Sequence, residues 1–194
     1  MATGQRKGKH GKPAGGMAPP RSPEGKLFAA ARAGDGCAAR ELLASGAPVA
    51  ARDVLGRAPL ACAAAAGRLD VVRALIEFGA EVDAVDDERA TALIEACRSR
   101  RLDVARILVE AGADLGAMTK GNPGLTPLLV AIVNDDHEMA WMLARAGADL
   151  ERCDAASRSA WSAAEDWGRR ALAAWFRGFH LSRAQGAGLD GALD

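Results

Sequence analysis

The stretch RAPLACAAAAGRLDVVRALIEFGAEVDAVD, from Arg57 to Asp86, carries the pattern of two short helices and the signals that stop them. Pro59 has a fixed φ suited to a first helical turn and lacks an N–H that would be unsatisfied there, so a helix is predicted from about Ala58. Leu60 lies three and four residues before Ala63 and Ala64, hence on one face with them, and side chains that small let a neighbouring helix approach closely. Gly67 supplies the left-handed residue that ends a helix. A second helix, from about Leu69 to Glu77, places Val71, Val72, Leu75 and Ile76 on an apolar stripe and turns Arg73 and Glu77 outward, until Gly79 stops it. Helices of two or three turns are marginal alone, because nucleation is costly and neither hides its stripe from water.

The remedy is repetition. Gly46-Ala47, Gly79-Ala80, Gly112-Ala113 and Gly147-Ala148 recur at steps of 33, 33 and 35 residues, and the phrase AGADL occurs at Ala111–Leu115 and again at Ala146–Leu150. Other columns keep the same frame. Leu27, Leu60, Leu93, Leu128 and Trp161 follow at 33, 33, 35 and 33, and Leu42, Leu75, Ile107-Leu108 and Met142-Leu143 precede each Gly-Ala pair. Five units result, each burying its stripes against the next, which predicts an all-α repeat.

Ala58-Pro59-Leu60, Thr91-Ala92-Leu93 and Thr126-Pro127-Leu128, each followed by an alanine-bearing helix, an apolar helix and Gly-Ala-acid-apolar, resemble ankyrin repeats. The likeness covers residues 24–178, divided at about 24–52, 53–85, 86–118, 119–153 and 154–178. It implies a curved solenoid of antiparallel helix pairs with hairpin loops along one edge. Residues 1–23, rich in Gly, Pro, Lys and Arg, are expected to be a disordered tail, and 179–194 a short helix extension over Phe179–Leu181 with a flexible end.

Departures from the family pattern carry information. The family's histidine after Thr-Pro-Leu is replaced by Ala61, Ile94, Leu129 and Ser162, so helix capping must be made otherwise or lost. Arg89 and Arg100 stand where unit two has Gly56 and Gly67; if those backbones keep a positive φ, each costs about 1 kcal/mol and unit three is the softest. Unit four is two residues longer, with the insertion in Thr119–Pro127. Units one and five are read as caps, Trp161, Trp167, Trp175 and Phe176 sealing the open end.

Composition excludes more than it assigns. The formal net charge is +0 and 49% of residues are apolar, enough for a core and no pointer to a polyanion. Arg6, Lys7, Lys9, Lys12 and Arg21 all precede the first acid, Glu24, which leaves the remainder mildly acidic. No run approaches the roughly 18 apolar residues of a membrane span, and the basic start leads into Gly and Pro rather than a signal-peptide core, so a cytoplasmic location without membrane attachment is expected. Cys37, Cys62, Cys97 and Cys153 include no CxxC pair and read as reduced thiols. His10, His137 and His180 are too scattered for a triad or a metal site, no phosphate loop appears, and Asp135-Asp136 reads as a solvated helix entry. No enzyme activity, metal or cofactor is expected.

What remains is contact with a protein partner, as a regulator or adaptor that is itself a monomer. The resemblance implies that the partner meets the concave face, made of hairpin tips and the exposed side of each first helix. In unit two that face offers Val54, Leu55 and Arg57; in unit three, Asp87, Glu88, Arg98 and Arg101. Unit four offers Asn122, Leu125, Val133, Asn134 and Asp136, and unit five Arg158 and Trp167. Val54 and Leu55 either pack on the neighbouring loop or meet a partner. Trp167 reads first as a cap and second as an interface anchor, Trp141 first as packing on the last unit, and Arg98–Arg101 first as a solvated helix end complementing the helix dipole. The alternative is a nucleic-acid-associated protein that uses the basic tail and keeps the repeats as a tether.

Overall fold

The computed structural model describes residues 21–121, 124–151 and 159–184, with side chains to residue 178. Among these, ten helices and no strand follow one another: α1 (Pro23–Ala33), α2 (Gly36–Ala44), α3 (Pro59–Ala66), α4 (Leu69–Glu77), α5 (Ala92–Arg98), α6 (Leu102–Glu110), α7 (Pro127–Val133), α8 (His137–Arg145), α9 (Ala160–Asp166) and α10 (Arg170–Ala184). They pair as consecutive hairpins. First helices α1, α3, α5, α7 and α9 form one row and second helices α2, α4, α6 and α8 another, each helix lying against its counterpart in the next unit. One core runs through the stack, with Leu27, Leu60, Leu75, Leu93, Leu108, Leu128 and Leu143 at most 2% exposed. Trp161, placed by the frame in the buried leucine column, is instead 41% exposed, with no further helix pair over it among the described residues.

Short helices need their ends satisfied, and local sequence does this in several ways. The hydroxyls of Thr91 and Thr126 accept from the backbone N–H of Ile94 and Leu129, and the carboxylates of Asp35 and Asp136 from those of Ala38 and Met139. These four side chains cap the N-termini of α5, α7, α2 and α8. Ala58 supplies no side-chain cap, and Pro59 has one fewer N–H to satisfy.

The C-terminal carbonyls of the first helices are satisfied from the following unit. Arg68 Nε donates to the Arg32 carbonyl at 3.1 Å, Arg101 Nε to that of Ala65 at 3.5 Å, and Arg169 Nη2 to that of Val133 at 2.9 Å. Between units three and four Asn134 takes the role, its Nδ2 donating to the carbonyls of Cys97 and Arg98 at 3.1 and 3.3 Å. On the second-helix row, Arg40 pairs with Glu77 across units one and two, and Arg106 with Glu138 at 3.6 Å across units three and four. Units are therefore tied together at both helix rows as well as through the core.

Both arginines that replace glycine keep the left-handed backbone, with φ 60° at Arg89 and 55° at Arg100. Asp135 joins them at φ 55°. No hydrogen bond or ion pair holds the Arg89 or Arg100 side chain among the described residues, so the softness expected of unit three has its backbone cause in place.

Candidate functional site

The loops between units are built around one recurring position. Asp53, Asp86 and Thr119 stand 33 residues apart, each at the base of a hairpin tip. Asp53 Oδ1 accepts from the backbone N–H of Leu55 and Arg57 at 2.9 and 3.0 Å, and Asp86 Oδ1 does the same for Glu88 and Ala90 at 2.9 and 2.8 Å. Thr119 Oγ1 accepts from the N–H of Leu125 at 3.0 Å, so the longer tip of unit four is tied at its base in the same manner. A short oxygen-bearing side chain that bonds the backbone ahead of it nucleates such a turn.

Successive tips are also bonded to one another. The Asp87 N–H donates to the Leu55 carbonyl at 3.1 Å and the Lys120 N–H to the Glu88 carbonyl at 2.7 Å, while Lys120 Nζ donates to the Asp87 carbonyl. The tips of units two, three and four thus form a continuous ribbon. Val54 and Leu55 on it are 47% and 53% exposed. The Leu55 carbonyl bonds the neighbouring loop, and both side chains are about half exposed.

At the base of the ribbon Asp53 is 6% exposed and holds a charge cluster. Arg57 donates from Nε and Nη2 to Asp53 Oδ2 at 3.0 and 2.9 Å, and Arg32 Nη2 of the preceding unit lies 3.6 Å from the same oxygen. Burial works against the carboxylate's charge. The Arg57 hydrogen bonds and the backbone N–H donors of Arg57 and Leu55 outweigh it and hold Asp53 below the ordinary aspartate range. Cys62 Sγ lies 3.8 Å from Asp53 Oδ2, and burial pushes its thiol up, so Cys62 is not an activated nucleophile.

The remaining candidate positions divide by what their side chains already hold. Asp87 and Glu88 are exposed on the ribbon and their carboxylates accept no hydrogen bond among the described residues. Arg98 is exposed and paired with Glu95 at 2.7 Å within α5. Asn134 beside it is committed to the carbonyls of α5, and Asp136 to capping α8. Arg101 stands at the start of α6, reaching back to α3. Leu125 is half-buried at the base of its tip, and Trp167, at the end of α9, is half-buried against the core. Asn122 and Arg158, with the tails 1–20 and 185–194, lie outside the described residues.

Trp141 points at a cleft of 590 Å³ between α8 and α10, lined also by His137, Glu138, Ala171, Leu172 and Trp175, and the Arg145 guanidinium sits 4.8 Å from its ring centre. Sequence reasoning passed over Arg32, Arg89 and Lys120 on or beside the ribbon. Arg32, also 6.0 Å from the Phe28 ring, stands at the same frame position as Arg98, which was the available signal.

Among the described residues no helix is long and apolar enough to cross a membrane, and no three His, Cys, Asp or Glu side chains gather as a metal site would require. Residues 27–119 match the family model described as ankyrin repeats, in three copies, and α7 to α10 continue the same stack beyond it. No curated protein matches the sequence.

Proposed function

With residues 27–119 being ankyrin repeats, a scaffold generally used for protein–protein contact, we propose that this protein is a non-enzymatic binding module that holds a protein partner on its concave, tip-side face. It acts as a regulator or adaptor through that contact. The observation that supports this reading is the bonded ribbon of tips that presents Val54 and Leu55 to water, with Asp87 and Glu88 beside them. Two adjacent aliphatic side chains held out by a rigid backbone gain from desolvation only when something covers them, and a preformed ribbon spares the partner the cost of ordering it.

The test compares capture of partners from the native cell by wild type and by a Val54→Ser/Leu55→Ser/Arg98→Ala chain. A photo-crosslinking residue at position 55, against one at exposed Arg73 on the second-helix row, locates the contact. Loss of capture by the triple variant and crosslinking from position 55 alone are expected. Equal recovery by the variant, or crosslinking from position 73 alone, refutes the assignment of the face.

A further inference from the structure

The two ends of the stack differ from every internal junction in complementary ways. Leu27, Leu60, Leu93 and Leu128 are at most 2% exposed, whereas Trp161 in the same column is 41% exposed. Leu27 is covered although no unit precedes it among the described residues, and Trp161 is uncovered although unit four precedes it. This column is therefore covered by the following unit. The reverse holds for the column of Leu42, half-buried in unit one, because its counterparts Leu75, Leu108, Leu143 and Phe176 are all at most 1% exposed. Phe176 is covered with no unit after it among the described residues, so that column is covered by the preceding unit.

Each end is thus half of a junction. The leading face is a groove of 700 Å³ whose floor is Ala29, Ala30, Ala33, Ala38 and Leu42, roomy because its side chains are small. The trailing face presents a large indole. Glu165 on α9 and Arg177 on α10 pair with each other at the trailing end, and a joined junction would offer Lys26 on α1 to the first and Glu41 on α2 to the second. The second-helix pairs already present inside the stack, Arg40 with Glu77 and Arg106 with Glu138, run in this direction, arginine in the earlier unit and acid in the later.

We propose that a second copy of this chain occupies the leading face, its Trp161 seated in the alanine-lined groove, so that the solenoid continues from copy to copy. The contact joins two different surfaces, and it extends into chains or closed rings rather than stopping at a symmetric dimer. It replaces the monomer expected from sequence with a concentration-dependent assembly, and leaves the tip-side ribbon open.

Sedimentation velocity and light scattering on the full chain, from about 10 μM to about 1 mM, read the assembly directly, a range that covers weak contacts. The average mass is expected to rise with concentration above the 20.0 kDa of one chain. Trp161→Ser and Ala29→Glu, each at an exposed position and each checked for an unchanged melt, should separately weaken association at least about thirtyfold, as loss of an interface anchor does. A mixture of the two is expected to stop at a dimer, since each retains the one intact end the other lacks. A wild-type mass that stays at one chain throughout, association that survives both variants, or a mixture that stays monomeric overturns the proposal.

Discussion

Gly67→Ala is expected to destabilise the protein and Arg100→Gly to stabilise it, although the two residues occupy the same position in successive units. Gly34, Gly67, Arg100, Asp135 and Gly168 end the five first-helix segments with φ of 88°, 73°, 55°, 55° and 71°. A side chain in that conformation costs about 1 kcal/mol. Surroundings then separate the sites. A Cβ on Gly34 would lie 2.7 Å from Arg68 Cδ, and one on Gly67 2.8 Å from Arg101 Cδ, so either displaces the arginine that satisfies the preceding helix. Arg100 faces unit four, where the corresponding residue is Asp136, folded onto its own helix N-terminus. Gly67→Ala therefore bears about 1 kcal/mol of backbone strain plus about 0.5 kcal/mol for an exposed hydrogen bond disturbed. Arg100→Gly relieves the strain but frees the unfolded chain, for a net gain of about 0.5 kcal/mol. Urea titration of the full chain measures both, and the losses and gains correspond to Tm shifts of about 1 to 6 °C at this length. In an Arg101→Ala background the Gly67→Ala penalty should fall to the strain alone. Gly67→Ala within about 0.3 kcal/mol of wild type, or Arg100→Ala stabilising as much as Arg100→Gly, refutes the reasoning, because alanine removes the charge and keeps the strained Cβ.

Leu108→Ala, at a side chain 0% exposed, is expected to cost about 2 to 5 kcal/mol by opening a cavity that the flanking units cannot close, read as a lower urea midpoint. Asp53 gives stability a dependence on acid. Its folded-state pKa is depressed, so its contribution is complete above the unfolded aspartate value of about 3.9 and is lost as pH falls through the lower folded value. Asp53→Asn should be less stable than wild type at neutral pH and show a shallower loss of stability below about pH 4. Thermal melts from neutral to acid pH decide it; equal slopes for the two chains would mean that Asp53 is not the group.

The fold was legible because three independent signals kept one frame: helix-stopping glycines, the leucine columns and the Pro or Thr starts. Helices predicted from about Ala58 and at Leu69–Glu77 are found at Pro59–Ala66 and Leu69–Glu77. The reading failed where it extended a column past its physical cause. Trp161 occupies a leucine position, but that position is buried only when another unit follows. The Asp53, Asp86, Thr119 column is also present in the sequence at 33-residue steps, but helix periodicity carries no information about polar residues in loops. The arginine bonds between units were not legible at all. They join groups 36 residues apart through the ends of long side chains, whose reach no spacing rule supplies.

The same limit shaped the candidate site. Frame position says which side a residue faces and nothing of what its side chain holds, so positions with structural duties were grouped with positions that have none. Arg57 is locked to Asp53, Asn134 to the end of α5 and Asp136 to the start of α8. Val54, Leu55, Asp87 and Glu88 have no comparable duty. The two groups should therefore separate in experiment. Changes at the first group disturb turns and junctions, and any loss of binding they cause arrives with a lower melting temperature. Changes at exposed sites without such duties shift stability by about 0.5 kcal/mol or less. A side chain that affects partner capture while leaving the melt in place is expected to act through contact, and the candidate positions without a structural duty, Val54, Leu55, Asp87 and Glu88, are the ones proposed to behave so.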